Sequence, residues 1–219
     1  MMEQIVAGVF CARRPLRFLG VEVGARMTVL QLDGGLLYSP IDVDEQAVTA
    51  LGKPRWVVAP NKLHHLFAGP WLERGLEGWA APGLAEKRSD LNFVGTLDRG
   101  EHPFGDAVET LTLTCFPMTN EVVLFHRPSR TLVVTDFVFN FAPTAPWFTR
   151  FAMRGAGCYP GCRASHLERA LMKRDVARRE LATMLRWDFE RIIPAHGEVV
   201  TGDARRALVD AYHWLGVGG

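Results

Sequence analysis

The sequence predicts an α/β fold, and three observations support that prediction. In the first third, short apolar strands alternate with turns and with one helical segment. The middle contains paired strands joined by a tight turn, and the last third has the apolar spacing of amphipathic helices. No internal repeat, low-complexity segment or long linker divides the chain, so residues 1–219 are predicted to form one domain.

Individual elements follow from turn and capping residues. Asp33-Gly34-Gly35 predicts a hairpin turn between two strands. Ser165-His-Leu-Glu168 matches a capping box, in which the serine and the glutamate satisfy each other's free backbone amides. Asp203 is placed to cap a closing helix that runs to Trp214. In chain order, the predicted strands and the first helix are strands at 27–32 and 36–39, a helix at 44–51, and strands at 56–59, 111–114, 121–126, 131–136 and 191–194.

An apolar stripe follows the capping box and is predicted to lie in the core. Its members recur at roughly helical spacing, which is typical of a helix that packs one face against a sheet. They are Leu167, Ala170, Leu171, Ala177, Leu181, Met184 and Leu185.

Composition narrows the classes of partner. Lysine and arginine (25 residues) nearly balance aspartate and glutamate (24), so the net charge gives no electrostatic case for binding nucleic acid or acidic membranes. A small-molecule substrate or ligand is therefore the expected partner. No stretch is long and apolar enough for a membrane span, and the N-terminal segment lacks the pattern of a secretory signal. The four cysteines are expected to be free thiols in a cytoplasmic protein.

Three strand ends carry residues that bind metals. His64 and His65 follow the strand at 56–59, Asp136 ends a second strand, and His196 follows a third. Ligands in α/β folds gather outside the carboxyl ends of strands, so these side chains are candidates for one site with nitrogen and carboxylate ligands. The alternative is that each histidine is an ordinary hydrogen-bonded residue of the core or surface.

Three segments in this order resemble the metallo-β-lactamase superfamily. Residues 57–68, Val-Val-Ala-Pro-Asn-Lys-Leu-His-His-Leu-Phe-Ala, lie over the superfamily's strand followed by His-x-His-x-Asp-His. Residues 131–136 resemble the strand that ends in a metal-bridging aspartate, and residues 193–197 resemble the late Pro-Gly-His-Gly. The Asn-x-x-His-His form is similar to that of a degenerate branch of the superfamily. The resemblance implies a four-layer αββα sandwich.

In that register, the positions of the first metal site have changed. Pro60 and Lys62 occupy the places of the first two histidines, and Pro117 falls near the place of the middle histidine. The resemblance therefore implies that one of the two usual metal sites is lost. Lys62 is a candidate catalytic residue, because its ammonium would stand where the first ion would be and would balance Asp136. A surface lysine at a loop tip is the alternative.

The second metal site keeps its positions, and the resemblance assigns His64, His65, Asp136 and His196 as ligands, with Asp136 also catalytic. His64 stands where the superfamily has an aspartate. The expected cofactor is one divalent metal, zinc first, although three histidines and one aspartate also suit iron or manganese. Six other polar residues near these loops, Asn61 and Glu121 among them, are more simply turn, cap or strand residues.

Two functions remain open at this point. The first is a metal-dependent hydrolase with one ion that attacks an ester, amide or phosphoester through activated water. The second is a catalytically degenerate scaffold, in which the same cluster binds a metal or ligand without turnover. Fold alone does not separate them, because one fold hosts many functions.

Overall fold

A computed structural model of the chain describes residues 1–98 and 100–217. The first half contributes nine strands, which are β1 (Glu3–Val6), β2 (Val9–Arg14), β3 (Arg17–Phe18), β4 (Val21–Glu22), β5 (Ala25–Leu30), β6 (Gly35–Tyr38), β7 (Pro54–Ala59), β8 (Glu77–Ala80) and β9 (Phe93–Thr96). Seven of them form the first sheet in the order β1-β2-β5-β6-β7-β8-β9. β3 and β4 form a separate short hairpin.

One half of this first sheet is parallel. β6, β7, β8 and β9 run in the same direction, whereas β1, β2, β5 and β6 are joined as antiparallel neighbours. Parallel neighbours need crossover connections, and these contain three short helices, α1 (Glu45–Thr49), α2 (Ala68–Glu73) and α3 (Leu84–Lys87). Because β6 and β7 are parallel, Ser39 and the loop that carries His64 lie at the same edge of the sheet.

The second half forms a smaller sheet and most of the long helices. Its strands are β10 (Val108–Thr112), β11 (Val122–His126), β12 (Thr131–Val133), β13 (Phe139–Phe141), β14 (Gly161–Arg163) and β15 (Arg191–Ile193). Four of them pair in the order β10-β11-β12-β15, and β13 pairs with β14. β12 and β15 are parallel, so Asp136 and His196 leave the same edge of this sheet.

Four helices and a short 3₁₀ turn belong to this half. They are α4 (Trp147–Gly155), α5 (His166–Leu171), α6 (Arg174–Met184), α7 (Ala204–Ala211) and the 3₁₀ turn His213–Leu215.

Side-chain alternation along the strands produces four layers. Leu36 of β6 and Leu124 of β11 pack together in the cluster between the two sheets. Their neighbours point the other way: Leu37 packs toward α1 and α2, and Phe125 packs toward α6 and α7. Because successive strand residues face opposite sides, each sheet is covered by the other sheet on one face and by helices on the other.

Most of the predicted elements are present with shifted ends. The capping box is confirmed: the Ser165 hydroxyl accepts from the Glu168 amide at 3.1 Å, and the Glu168 carboxylate accepts from the Ser165 amide at 2.9 Å. Asp203 caps α7 through the Arg206 amide, as predicted. The prediction that residues 1–219 form one domain stays a prediction, and residues 99, 218 and 219 lie outside the described part.

The prediction of one continuous apolar stripe is wrong at its N-terminal end. Met172 has an extended backbone (φ −70°, ψ 137°) that ends α5, and α6 begins only at Arg174. The break changes which residues face the core: Leu167 and Leu171 are more than half exposed, whereas Leu181 is fully buried. A helical period cannot be extended across a residue that leaves the helical conformation.

The broken helix predicts different costs for two similar substitutions. Leu181→Ala should lower the free energy of unfolding by about 2–5 kcal/mol, because it removes a fully buried side chain from the core. Leu171→Ala should change it by less than about 0.5 kcal/mol, because that side chain faces solvent. Urea unfolding followed by circular dichroism measures both. A large loss at Leu171 would show that the stripe is continuous after all.

Candidate metal centre

Three side chains from separate strand ends meet at one point. Ligand atoms of His64, Asp136 and His196 all lie within 4.8 Å of one another. His64 Nε2 is 3.3 Å and His196 Nε2 is 3.4 Å from the same carboxylate oxygen, Asp136 Oδ1. The three side chains are 11%, 15% and 8% exposed, so the cluster is largely shielded from solvent yet reachable. Within residues 1–98 and 100–217, no second group of this kind is found.

Asn61 fixes the orientation of the shared carboxylate. Its Nδ2 donates to Asp136 Oδ2 at 2.9 Å and to the Thr135 hydroxyl at 2.8 Å. Its Oδ1 accepts from the backbone amides of Leu63 and His64 at 2.7 and 2.8 Å. Asn61 is fully buried. Its Nδ2 bonds join the loop after β7 to the loop after β12, and its Oδ1 bonds hold the loop after β7 itself. Asn61 therefore leaves Oδ1 as the carboxylate oxygen that faces both imidazoles.

Glu121 holds the backbone that carries Asp136. Its buried carboxylate accepts from the amides of Thr135, Asp136 and Phe137 at 2.6, 2.8 and 3.0 Å. Burial and the charge of Asp136 raise the pKa of Glu121, while the amide donors oppose that rise. Three consecutive amides on one carboxylate fix the direction in which the Asp136 side chain leaves the backbone.

The His196 loop is held by the start of β5. Arg26, which is 2% exposed, donates to the Pro194 carbonyl and to the Gly197 carbonyl, on either side of His196. His196 Nδ1 lies 2.7 Å from the Gly24 carbonyl. Gly197 has φ +88°, and a Cβ there would stand 2.2 Å from the Asn140 carbonyl oxygen, so only glycine fits this turn.

The hydrogen bond to Gly24 settles the tautomer of His196. A carbonyl oxygen can only accept, so Nδ1 must carry the proton, and in the neutral ring Nε2 then has a free lone pair. That lone pair faces Asp136 Oδ1, which is also an acceptor. Two acceptors at 3.4 Å require a positive species at this point, either a proton on the imidazole or a cation shared with the carboxylate.

The charge state of Asp136 responds to the same contacts. Burial would raise the pKa of its carboxyl group, but the charge of His64 and the hydrogen bonds from His196 and His64 outweigh burial and lower the pKa below its ordinary value. These contacts therefore favour the ionised form of the Asp136 carboxyl group. His64 is oriented on its other side by Ser39, whose hydroxyl is 2.8 Å from Nδ1.

His65 is not one of the three residues whose ligand atoms meet in this group, and its assignment as a metal ligand stays a prediction. Its Nδ1 is 2.9 Å from the Arg88 guanidinium, which can only donate, so this nitrogen accepts and the ring is neutral. Burial and the charges of Lys87 and Arg88 lower the pKa of His65 further. Residues 64–67 form a turn, in which His64 faces Asp136 and His65 faces Arg88.

Lys62 lies beside Pro117, so two of the altered positions of the first metal site do come together. Lys62 Nζ donates to the Pro117 carbonyl at 3.2 Å, and Lys87 donates to the Lys62 carbonyl at 2.6 Å. In the part of the chain that the structure describes, Lys62 makes no ion pair with Asp136. Catalytic roles for Lys62 and Asp136 stay predictions.

Sequence reasoning underrated two residues of the site. Asn61 and Glu121 were expected to serve turns, caps or a strand surface, but both are buried and hold the aspartate loop. For Asn61 a usable signal existed, because it belongs to the Asn-x-x-His-His segment itself. For Glu121 no local signal existed, because its partners follow the next strand.

Removing the Asn61 side chain tests its role in the apo protein. Asn61→Ala should lower the free energy of unfolding by about 1–3 kcal/mol, because it leaves Asp136 Oδ2 and two backbone amides buried without partners. The exposed Asn92→Ala is the matched control and should change it by less than about 0.5 kcal/mol. Guanidinium unfolding of both variants provides the comparison. Equal, small effects would show that Asn61 does not hold the cluster.

Comparison with solved structures identifies the fold. No family model matches the chain, and no curated protein matches it by sequence. Solved structures do match over nearly the whole length. DIM-1 metallo-β-lactamase superposes with a TM-score of 0.69 at 15% identity, covering 98% of this chain and 97% of that one.

Two further structures agree. The metallo-β-lactamase from Pontibacter korlensis has a TM-score of 0.69 at 11% identity and covers 97% of this chain and 98% of its own. FIM-1 from Pseudomonas aeruginosa, in its mono-zinc form, has a TM-score of 0.67 at 12% identity and covers 99% and 96%. At these identities the likeness concerns the fold. The predicted αββα class is confirmed, and the chain has the metallo-β-lactamase fold.

Proposed function

We propose that this chain is a hydrolase-like metalloprotein that holds one divalent ion with His64, Asp136 and His196. The observation that carries the proposal is the fixed tautomer of His196. The His196 Nδ1–H group donates its hydrogen bond to the Gly24 carbonyl, so the lone pair of Nε2 faces the anionic Asp136 Oδ1. A cation bound between these two atoms would remove the repulsion between them. A metal ligand histidine oriented through its other nitrogen by a carbonyl is the common arrangement in metal sites.

The donor set favours zinc. Two imidazoles and one carboxylate are ligands that zinc accepts, and catalytic zinc sites use three protein ligands and leave one position open. The same set also suits iron or manganese. FIM-1 has been crystallised in a mono-zinc form, which supports the idea that this fold accommodates a single zinc ion.

A divalent ion bound here would supply Lewis acidity toward an ester, amide or phosphoester and would acidify water near neutrality. The chain's own residues would orient the participants. Asn61 keeps Asp136 Oδ1 directed at the cluster, and Gly24 and Ser39 fix the two imidazole rings. The Phe139 ring is stacked on His196 at 5.8 Å between centroids, which gives the site an apolar wall.

A specific observation also supports the alternative, a degenerate scaffold. The distances of 3.3 and 3.4 Å from the two imidazoles to Asp136 are compatible with protonated histidines that close the cluster without any ion. In that case the cluster is a hydrogen-bonded part of the core or binds a small ligand. The two functions differ in turnover, and a cluster closed by protonated histidines would in addition retain no stoichiometric ion.

Free cysteine thiols are typical of proteins in a reducing compartment. All four cysteines, Cys11, Cys115, Cys158 and Cys162, are free. The free thiols support our proposal of a cytoplasmic location. We also propose that the substrate or ligand is a small molecule.

Elemental analysis tests the ligand assignment. Protein purified without added metal, then loaded with zinc and dialysed, should retain about one ion per chain by mass spectrometry of the elements. Asp136→Ala and His196→Ala should lose it, since each removes one of three ligands. His65→Ala is the matched control, because its ring contacts Arg88, and this variant should retain zinc. Loss of zinc in His65→Ala alone would contradict the assignment.

Turnover separates the hydrolase from the scaffold. Zinc-loaded protein should hydrolyse at least one of a set of generic esters, thioesters, lactams and phosphodiesters, and His64→Ala should abolish both zinc retention and hydrolysis. The rate is measured against the same substrates without protein. Stoichiometric zinc with no turnover on any of them would favour the metal-binding scaffold.

A further inference from the structure

An exposed aromatic surface lies on α4. Trp147, Phe148 and Phe151 are 72%, 47% and 70% exposed, while Thr149 faces inward and is buried. Residues 147 and 151 are one helical turn apart, so their rings share a face of the helix. Single exposed apolar residues are ordinary, but adjacent large aromatic rings on one helix face indicate an interaction surface.

The hairpin formed by β3 and β4 extends this surface. The Thr149 hydroxyl donates to the Glu22 carbonyl at 2.9 Å, which fixes α4 beside β4. At the tip of the hairpin, Phe18 and Leu19 are 60% and 89% exposed. The five exposed apolar residues together are called the α4 patch: Phe18, Leu19, Trp147, Phe148 and Phe151.

Two arginines next to the rings lack anionic partners. Arg150 and Arg154, with Trp147, Phe151 and Tyr159, line a hollow of about 210 Å³. Within the described residues neither arginine pairs with a carboxylate, and Arg150 Nε is buried without any hydrogen-bond partner. The Arg154 guanidinium lies over the Tyr159 ring at 5.1 Å. α4 itself contains no acidic residue. The hollow is therefore suited to an anion bordered by apolar groups.

We propose that the α4 patch docks on the surface of a membrane that contains anionic phospholipid. Aromatic rings favour the headgroup level of a bilayer, and arginines beside them bind lipid phosphates. Near-zero net charge does not oppose this, because the attraction is set by the local charges within a Debye length of the lipid. A second copy of the chain is a poorer occupant, since it would bring four unpaired arginines face to face.

The helices of the structure restrict the mode of contact. Among the described residues, no helix combines the length and apolar character needed to cross a bilayer. The contact proposed is therefore at the interface, through a short amphipathic helix and a hairpin tip. It does not depend on the metal centre or on hydrolysis.

Vesicle sedimentation with the full chain tests the proposal. The protein should co-sediment with vesicles of equal parts phosphatidylglycerol and phosphatidylcholine, less with phosphatidylcholine alone, and less again at high salt. Trp147→Ser/Phe151→Ser should weaken the binding by about tenfold or more, because two rings no longer enter the interface. Val94→Ser, which removes a 60% exposed apolar side chain from β9, is the control and should bind normally.

Two further variants distinguish the contributions of charge and aromatic contact. Arg150→Gln/Arg154→Gln should weaken binding to the anionic vesicles by about tenfold while binding to neutral vesicles stays unchanged. Trp147→Phe should keep binding but lose the blue shift of tryptophan fluorescence that vesicles induce. Thermal unfolding of every variant at the wild-type midpoint shows that the fold is retained, since the replaced rings face solvent.

Three results would overturn the proposal. One is the absence of co-sedimentation with anionic vesicles. Another is equal binding by wild type and Trp147→Ser/Phe151→Ser, which would locate the contact elsewhere. The third is a concentration-dependent dimer, abolished by the same double substitution, in a protein that ignores vesicles. That result would assign the patch to a second copy of the chain.

Discussion

The Asp136 carboxylate is the group on which the site depends. It is largely buried, it stays ionised, and it contacts both loops that bring histidines to the cluster. A buried anion without partners would cost several kcal/mol, so its surroundings must supply donors or cations. Asn61 donates a hydrogen bond to one oxygen of the Asp136 carboxylate, and the two imidazoles face the other oxygen. The charge needed between those imidazoles and the carboxylate is the physical basis for expecting a cation here.

Two further buried ionisable side chains hold the same loops through backbone groups. The Glu121 carboxylate accepts hydrogen bonds from three backbone amides around Asp136, and the Arg26 guanidinium donates hydrogen bonds to carbonyls on either side of His196. Hydrophobic side chains of similar size would satisfy the core at least as well, since burying charge is costly. The benefit is geometric. Loops held by several charge-assisted bonds keep their side chains in place before any ligand arrives, which is what a metal site or an enzyme requires.

The sequence predicted which strands lead into the site, because the apolar runs that locate strands are local features. Apolar runs locate the strands, and residues just beyond them must meet where parallel strands share an edge, as Asp136 and His196 do. His65 could not be separated from His64 in this way, because the choice depends on Arg88, 23 residues further along the chain. Likewise the extended backbone at Met172 interrupts an apolar period that the sequence continues without a break. A long-range contact determines the direction of the His65 side chain, and the backbone dihedral angles of one residue determine where the helix breaks.

The proposed metal centre consists of two imidazoles and one carboxylate, with His65 excluded. Zinc K-edge X-ray absorption of the zinc-loaded protein tests it most directly, because multiple scattering counts the imidazole ligands. We expect two imidazoles and oxygen donors at about 2.0–2.2 Å for the wild type. We also expect an identical spectrum for His65→Ala and one fewer imidazole for His64→Gln. A third imidazole that disappears in His65→Ala, or zinc bound with no histidine signal, would contradict it.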